Sequence, residues 1–146
     1  MRRFEIPEDA VARGFAEARL PARQEVLSLS PVVLLDGEHN PEGIGALADT
    51  IRRYLPGKRV TAVGGMMADK DSVQSAARLR GLFSTVFTVS PRSDRALEAE
   101  EFARVLQKAD LNARPAESVE SALDAAFSRI GPDDALVVFG SLYLAG

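Results

Sequence analysis

The sequence of 146 residues contains no cysteine, no tryptophan and only one histidine. The lack of cysteine excludes a disulfide framework, a thiolate nucleophile and a zinc finger. One histidine cannot build a histidine-rich metal site, so no metal centre is predicted. No apolar run approaches the roughly 20 residues of a membrane-spanning helix, and the polar N-terminus shows no signal peptide. We therefore expect a cytoplasmic protein without a membrane partner.

The charge balance is also unremarkable, with a net charge of -3 and a pI near 5.2. Such a chain lacks the basic footprint of a nucleic-acid-binding protein, so no nucleic-acid partner is expected. Apolar residues make up 46% and charged residues 27%, which is typical of a globular protein. We interpret residues 1–146 as one domain, large enough to fold around its own core without a cofactor.

Helix and strand patterns alternate along the chain. A continuous apolar run predicts a strand covered on both faces, and 3–4 spacing of apolar residues predicts an amphipathic helix. This alternation predicts right-handed crossovers and an α/β, Rossmann-like, mostly parallel sheet with helices on both faces. The predicted helices are Pro7–Ala18, Pro41–Tyr54 with Asn40 as its N-cap, Ser72–Leu82, Ala99–Ala109 and Val119–Ile130. The predicted strands are Gln24–Leu29, Val32–Leu35, Arg59–Val63, Val86–Val89, Ala113–Ala116 and Ala135–Phe139.

Three glycine-containing segments follow predicted strands. Ligands of open parallel sheets bind beyond the carboxyl ends of the strands, so these segments are expected to meet at one edge and form the site. The segments are Asp36–Pro41, Gly64–Asp71 and Gly140–Tyr143.

The first of these segments suggests an anion site. Asp36 ends a buried strand, and Asn40 and Pro41 begin a helix whose N-terminal amides can receive an anion. His39 lies between them, where it could hydrogen-bond a substrate carboxylate. The same residue types are common in turns, so Asp36 and Asn40 could simply shape the connection.

Other candidate residues have equally ordinary interpretations. Lys70 between two aspartates is either a carboxylate ligand or a solvated charge. Ser141 either caps a strand end or binds a ligand, and Arg23 alone suggests only a surface residue. Gly43–Ala48 matches G-x-G-x-x-A but lies inside a predicted helix, and the chain has no P-loop. A triad of Asp36, His39 and Ser141 lacks the nucleophile elbow.

Five short motifs, in order, resemble those of folylpolyglutamate synthases and their Mur ligase relatives. Leu34–Pro41 resembles the signature I-L-D-G-A-H-N-P, and Leu20–Val26 resembles W-P-G-R-x-E-x. Gly64–Asp71 is similar to G-x-x-x-D-K-D, Arg95–Leu97 to R-A-L and Gly140–Leu144 to G-S-L-Y. The chain departs from the family pattern at three positions, where Leu20, Ala22 and Glu38 replace tryptophan, glycine and alanine.

The resemblance implies the fold of a Mur ligase C-terminal domain and an ATP-dependent ligase. That ligase adds L-glutamate to folate, and as a dihydrofolate synthase it also accepts dihydropteroate, through an acyl phosphate. Its partner would be its own N-terminal ATP-binding domain, which carries the P-loop and binds most of the ATP and Mg²⁺. That domain is absent from this sequence, so the chain alone is expected to be inactive.

The same resemblance implies roles for single residues. Arg23 is expected to contact the ATP phosphates, and Asp36 the nucleotide, at its ribose. The residues expected to bind glutamate are His39, Asn40, Lys70 and Ser141, and those expected to be catalytic are Arg23 and His39.

Two alternatives stay open on the sequence. The chain could be the corresponding domain of another Mur-type amino-acid ligase. It could also be a stand-alone small-molecule-binding or regulatory module. The chain ends five residues after Ser141 without a closing helix, which suggests a piece of a longer protein.

Overall fold

The computed structural model describes residues 22–141 and residue 144. The helix expected over Pro7–Ala18 lies outside these residues. Within them, strands and helices alternate as the sequence predicts. The elements are β1 (Glu25–Leu29), β2 (Val32–Asp36), α1 (Pro41–Tyr54), β3 (Val60–Gly64), α2 (Ser72–Leu79), β4 (Thr85–Thr88), α3 (Ala99–Lys108), β5 (Ala113–Pro115), α4 (Val119–Phe127) and β6 (Ala135–Phe139).

The six strands form one sheet in the order β1-β2-β6-β3-β4-β5. Strand β1 pairs antiparallel with β2, and every other neighbouring pair is parallel. Strand β6, the last described strand in the chain, therefore lies between β2 and β3. The predicted mostly parallel α/β sheet is confirmed, and β5 lies at an edge as predicted.

The core lies on both faces of the sheet. Along β6, Val137 faces a cluster that includes residues of α1, α2 and α3, while Leu136 and Val138 face a second cluster with residues of α4. This period of two is the pattern of a strand covered on both sides, and every residue of β3 and β6 is buried. The prediction of helices on both faces is confirmed.

Helix α1 begins as its sequence predicts. The Asn40 side chain accepts a hydrogen bond from the Gly43 backbone N–H at 2.7 Å, and Pro41 occupies the first helical position. Helix α1 spans 14 residues. Among the residues that the structure describes, no helix is long and apolar enough to cross a membrane.

Several predicted boundaries are wrong by one to three residues. Helix α2 ends at Leu79 instead of Leu82, because Arg80 is extended and Gly81 has a φ of +75°. Helix α4 ends at Phe127 instead of Ile130. Strand β1 begins after Gln24, whose φ of +47° is incompatible with a strand. The other differences are one-residue shifts at the ends of β2, β3, β4, β5 and α3.

Candidate functional site

The carboxyl ends of three strands meet at one edge of the sheet. Asp36 and Gly64 both lie in register with Phe139, on either side of β6. Beyond the strands, the Gly140 N–H donates to the Asp36 carbonyl oxygen at 3.2 Å. The Gly65 N–H donates to the Phe139 carbonyl oxygen at 3.2 Å. The predicted convergence of the three segments is confirmed, although Leu142 and Tyr143 lie outside the described residues.

At this edge of the sheet the backbones of the strand ends lie in direct contact with each other. Gly140 has a φ of +101°, and a Cβ added there would collide with the Gly65 carbonyl oxygen. A Cβ added at Gly65 would lie 2.7 Å from the Val89 carbonyl oxygen. Ser141 follows directly and is buried, with 3% of its surface exposed. Glycine is therefore required where the strand ends approach each other.

A tight connection places Arg23 beside the end of β2. Ala22 and Gln24, on either side of Arg23, have φ values of 56° and 47°. Non-glycine residues rarely adopt this left-handed conformation, so the surrounding structure must hold it. One such contact is the hydrogen bond from the Gly37 N–H to the Ala22 carbonyl oxygen, at 2.6 Å. The Arg23 guanidinium pairs with the Glu38 carboxylate.

Asp36 is the buried acid of the site, with 1% of its surface exposed. Its Oδ1 accepts a hydrogen bond from the Glu38 N–H at 3.1 Å, whereas its Oδ2 has no hydrogen-bond partner within the described part of the chain. Burial raises the pKa of Asp36 from 3.8 to about 6. The Arg23 charge and the Gln24 backbone N–H oppose this rise.

The raised pKa predicts a pH-dependent stability. Between pH 4 and 6 the folded chain holds a proton on Asp36 that the unfolded chain has released, so stability falls as the pH rises through this window. The full shift corresponds to a loss of at most about 3 kcal/mol above pH 6. Urea unfolding from pH 4 to 7 should show that Asp36→Asn removes this loss, while the exposed control Asp49→Asn keeps it. Parallel profiles for Asp36→Asn and the unsubstituted chain would contradict the prediction.

A cavity of about 260 Å³ opens beside these residues. Arg23, Asp36 and Glu38 supply its charged wall. The remaining lining residues are Gln24, Gly43 and Ala46. The cavity thus lies between the turn that contains Arg23, the end of β2 and the first turns of α1.

His39 and Asn40 lie on the loop between β2 and α1, and both are partly buried. The His39 Nδ1 lies 3.3 Å from the Gly37 carbonyl oxygen, which orients the ring. Besides capping α1, the Asn40 side-chain amide donates to Glu38 Oε2 at 3.5 Å. Asn40 therefore has the structural role that its residue type favours.

Lys70 belongs to a second polar group, on the loops after β3 and β4. Its Nζ lies 3.8 Å from Asp69 Oδ2, and Arg95 Nη1 lies 3.6 Å from the same oxygen. The Ala68 N–H donates to the Arg95 carbonyl oxygen at 2.8 Å and joins the two loops. Two cations thus share one carboxylate at this place. Lys70 does not line the 260 Å³ cavity.

Sequence reasoning missed part of this arrangement. The family pattern has alanine in place of Glu38, so the resemblance assigns Glu38 no role, yet its carboxylate pairs with Arg23. Arg95, within the R-A-L motif, carried a signal that could have suggested its place beside Lys70. The sequence gives no signal for the other lining residues, Gln24, Gly43 and Ala46. Their contribution depends on how the turn that contains Arg23 folds over α1.

The described residues include no group of three or more His, Cys, Asp or Glu side chains that could hold a metal ion. Asp36 and Glu38 are the acidic residues of the cavity wall, and Glu38 is already paired with Arg23. This part of the chain therefore does not fit a magnesium site.

Comparison with known proteins agrees with the geometry. The family model described as "Mur ligase, glutamate ligase domain" matches residues 22–142. Folylpolyglutamate synthase of Lacticaseibacillus casei is 36% identical over 136 residues, which are 92% of this chain and 30% of the relative. The chain thus spans about a third of the length of such relatives.

Solved structures give the same result. Escherichia coli FolC in complex with DHPP and ADP superposes with a TM-score of 0.87 at 31% identity, covering 97% of this chain and 33% of that one. The structure of a bifunctional folylpolyglutamate synthase/dihydrofolate synthase with Mn, AMPPNP and L-glutamate bound gives a TM-score of 0.86 at 27% identity, covering 97% of this chain and 34% of that one. Fold, motifs and matches together identify this chain as a member of the Mur ligase family, corresponding to its C-terminal, glutamate ligase domain.

Proposed function

We propose that this chain is the C-terminal domain of an ATP-dependent ligase that adds L-glutamate to folate. Its relatives are named folylpolyglutamate synthases, and structures similar to it contain ADP, AMPPNP or L-glutamate. In this proposal residues 1–146 form one domain, whose partner is an N-terminal ATP-binding domain carrying a P-loop. The observation that carries the proposal is the cavity between Arg23 and Asp36 at the carboxyl edge of the sheet.

The cavity wall suits part of a nucleotide. Asp36 Oδ2 is a buried acceptor without a hydrogen-bond partner in the described chain, and a ribose hydroxyl would supply the missing donor. Arg23 is 47% exposed at the same cavity, and its planar fork of donors suits a phosphate. Mg²⁺ would have to be held by the N-terminal domain, because these residues do not form a metal site.

The second polar group suits the amino-acid substrate. Lys70 and Arg95 share the Asp69 carboxylate, and either cation could also pair with a substrate carboxylate. We assign the orientation of the incoming glutamate to His39 and Asn40, on the loop between β2 and α1, and to Ser141, which follows β6. In this proposal Lys70 contacts one end of the glutamate, and His39, Asn40 and Ser141 contact the other end.

In this reaction the residues of the site would position the substrates and stabilise charge. The glutamate amine attacks the carbonyl carbon of the folate acyl phosphate and loses a proton as the C–N bond forms. The bond between that carbon and the phosphate oxygen breaks, so inorganic phosphate leaves with the electron pair and can accept the proton. Arg23 would stabilise charge on the phosphate, and His39 would orient the amine. Since each contact is only part of a site completed by the N-terminal domain, we expect the isolated chain to be inactive.

An NMR titration of the 146-residue chain with ATP and, separately, with L-glutamate tests the proposal. ATP should shift the amide signals around Arg23, Asp36 and Gly43, and L-glutamate those around His39 and Lys70. Arg23→Ala should weaken ATP binding about tenfold or more, because it removes a charge-assisted hydrogen bond. The matched control Arg104→Ala, an exposed arginine on α3, should leave ATP binding unchanged.

Shifts scattered over α3 and β5, or equal ATP affinity for Arg23→Ala and the unsubstituted chain, would argue against this nucleotide site. L-glutamate shifts that persist in Arg23→Ala would separate the amino-acid site from the nucleotide site.

A further inference from the structure

We propose that Glu38 sets the phosphate affinity of the site by occupying the Arg23 guanidinium as an internal anion. A polyphosphate would then bind Arg23 only by displacing the Glu38 carboxylate. The inference rests on the proposed role of Arg23 as a phosphate ligand. It adds a residue to which the resemblance assigns no role.

The position of Glu38 is fixed from several sides. Its carboxylate pairs with Arg23 through Oε1, and its Oε2 accepts from the Asn40 side chain at 3.5 Å. Its backbone N–H donates to Asp36 Oδ1 at 3.1 Å. Only 15% of its side chain is exposed, although glutamates are usually solvated. Glu38 is therefore part of the cavity wall.

Helix α1 makes room for this side chain. A Cβ added at Gly43 would lie 2.6 Å from the Cδ of Glu38, closer than non-bonded carbon atoms pack. Glycine at position 43, in the first turn of α1, thus allows the Glu38 side chain to lie against the helix. The pair with Arg23 and the space above Gly43 support the same placement of Glu38.

The charges of the cavity wall explain the effect on phosphate binding. Arg23 is the one cation among the six residues that line the cavity, and Asp36 and Glu38 are its two acids. The resembling family signature has alanine in place of Glu38, which would leave the Arg23 guanidinium available to an anionic ligand. With Glu38 present, an incoming phosphate must break the ion pair between Arg23 and Glu38. It must also approach the Glu38 carboxylate in addition to that of Asp36. Both effects weaken binding of an anion.

Titration calorimetry with tripolyphosphate tests the inference on the 146-residue chain at constant ionic strength. Glu38→Ala and the conservative Glu38→Gln should each bind tripolyphosphate about tenfold more tightly than the unsubstituted chain. Glu42→Ala is the matched control, because it removes an exposed acid from the same helix start without touching Arg23. It should change the affinity less than twofold. In an Arg23→Ala background, Glu38→Ala should bring no gain.

The outcomes separate the inference from the proposed function. If Arg23→Ala weakens binding but neither Glu38 variant strengthens it, Arg23 keeps its role and the inference is overturned. A gain from Glu38→Ala that survives in the Arg23→Ala background would mean general repulsion, which also overturns it. If Arg23→Ala has no effect in either background, the phosphate-binding role of Arg23 fails, and the inference fails with it.

Discussion

Phe139→Ala is expected to lower the free energy of unfolding by about 3–5 kcal/mol, the usual cost of truncating a fully buried phenylalanine. Phe139 is 1% exposed at the end of the central strand β6. Its ring stacks on Phe83 at a centroid distance of 5.7 Å and meets the edge of Phe102 at 6.5 Å. Alanine would leave a cavity among these rings and below Gly64, whose missing Cβ makes room for Phe139.

Urea unfolding measures this effect directly, and Phe127→Ala is a matched control. Phe127 ends helix α4 with 48% of its surface exposed, so its truncation should cost less than about 1 kcal/mol. A typical domain is stable by about 5–15 kcal/mol, so Phe139→Ala should remove a large part of the stability. A loss below 1 kcal/mol for Phe139→Ala would contradict the packing described above.

Gly140→Ala is expected to destabilise the chain by about 2–4 kcal/mol. Alanine is strained at a φ of +101°, and its Cβ would also collide with the Gly65 carbonyl oxygen. Relief of the collision would move β6 away from β3, and the hydrogen bond from the Gly140 N–H to Asp36 would lengthen or break. The same substitution should therefore disturb the candidate site as well as the fold.

Thermal and urea unfolding of Gly140→Ala can be compared with Gly57→Ala and Gly131→Ala. Gly57 has a φ of +74° but no neighbour within 4 Å, so it measures the backbone cost alone, about 1 kcal/mol. The nearest neighbour of a Cβ at Gly131 would be Asp134 Oδ2 at 3.8 Å, so that substitution should be nearly neutral. If Gly140→Ala cost no more than Gly57→Ala, the close approach to Gly65 would not hold.

The sequence allowed the α/β alternation to be predicted because each signal is local. Asn40 and Pro41 predict a helix start, and the apolar run of β2 predicts a buried strand. The carboxyl-edge position of Asp36 followed from the parallel sheet. Boundaries failed where single backbone conformations decide them, as at Gln24 and Arg80.

The contacts within the site could not be predicted in the same way. The ion pair between Arg23 and Glu38 links the turn before β1 to the loop between β2 and α1. It depends on the left-handed conformation at Ala22. Alanine gives no sequence signal for that conformation, unlike the glycine of the family pattern. The shared contact of Lys70 and Arg95 with Asp69 likewise depends on the pairing of two loops, which residue spacing alone does not encode.

The central place of β6 has a consequence for the order of folding. Asp36 and Phe139 are register partners, although 103 positions separate them in the chain. During synthesis, β2 and β3 leave the ribosome long before the strand that joins them, so the sheet cannot close until almost all of the described chain has emerged. Such long-range pairing slows folding and leaves strand edges exposed meanwhile. The candidate site, built where β2, β6 and β3 end, is therefore among the last parts of the described chain to form.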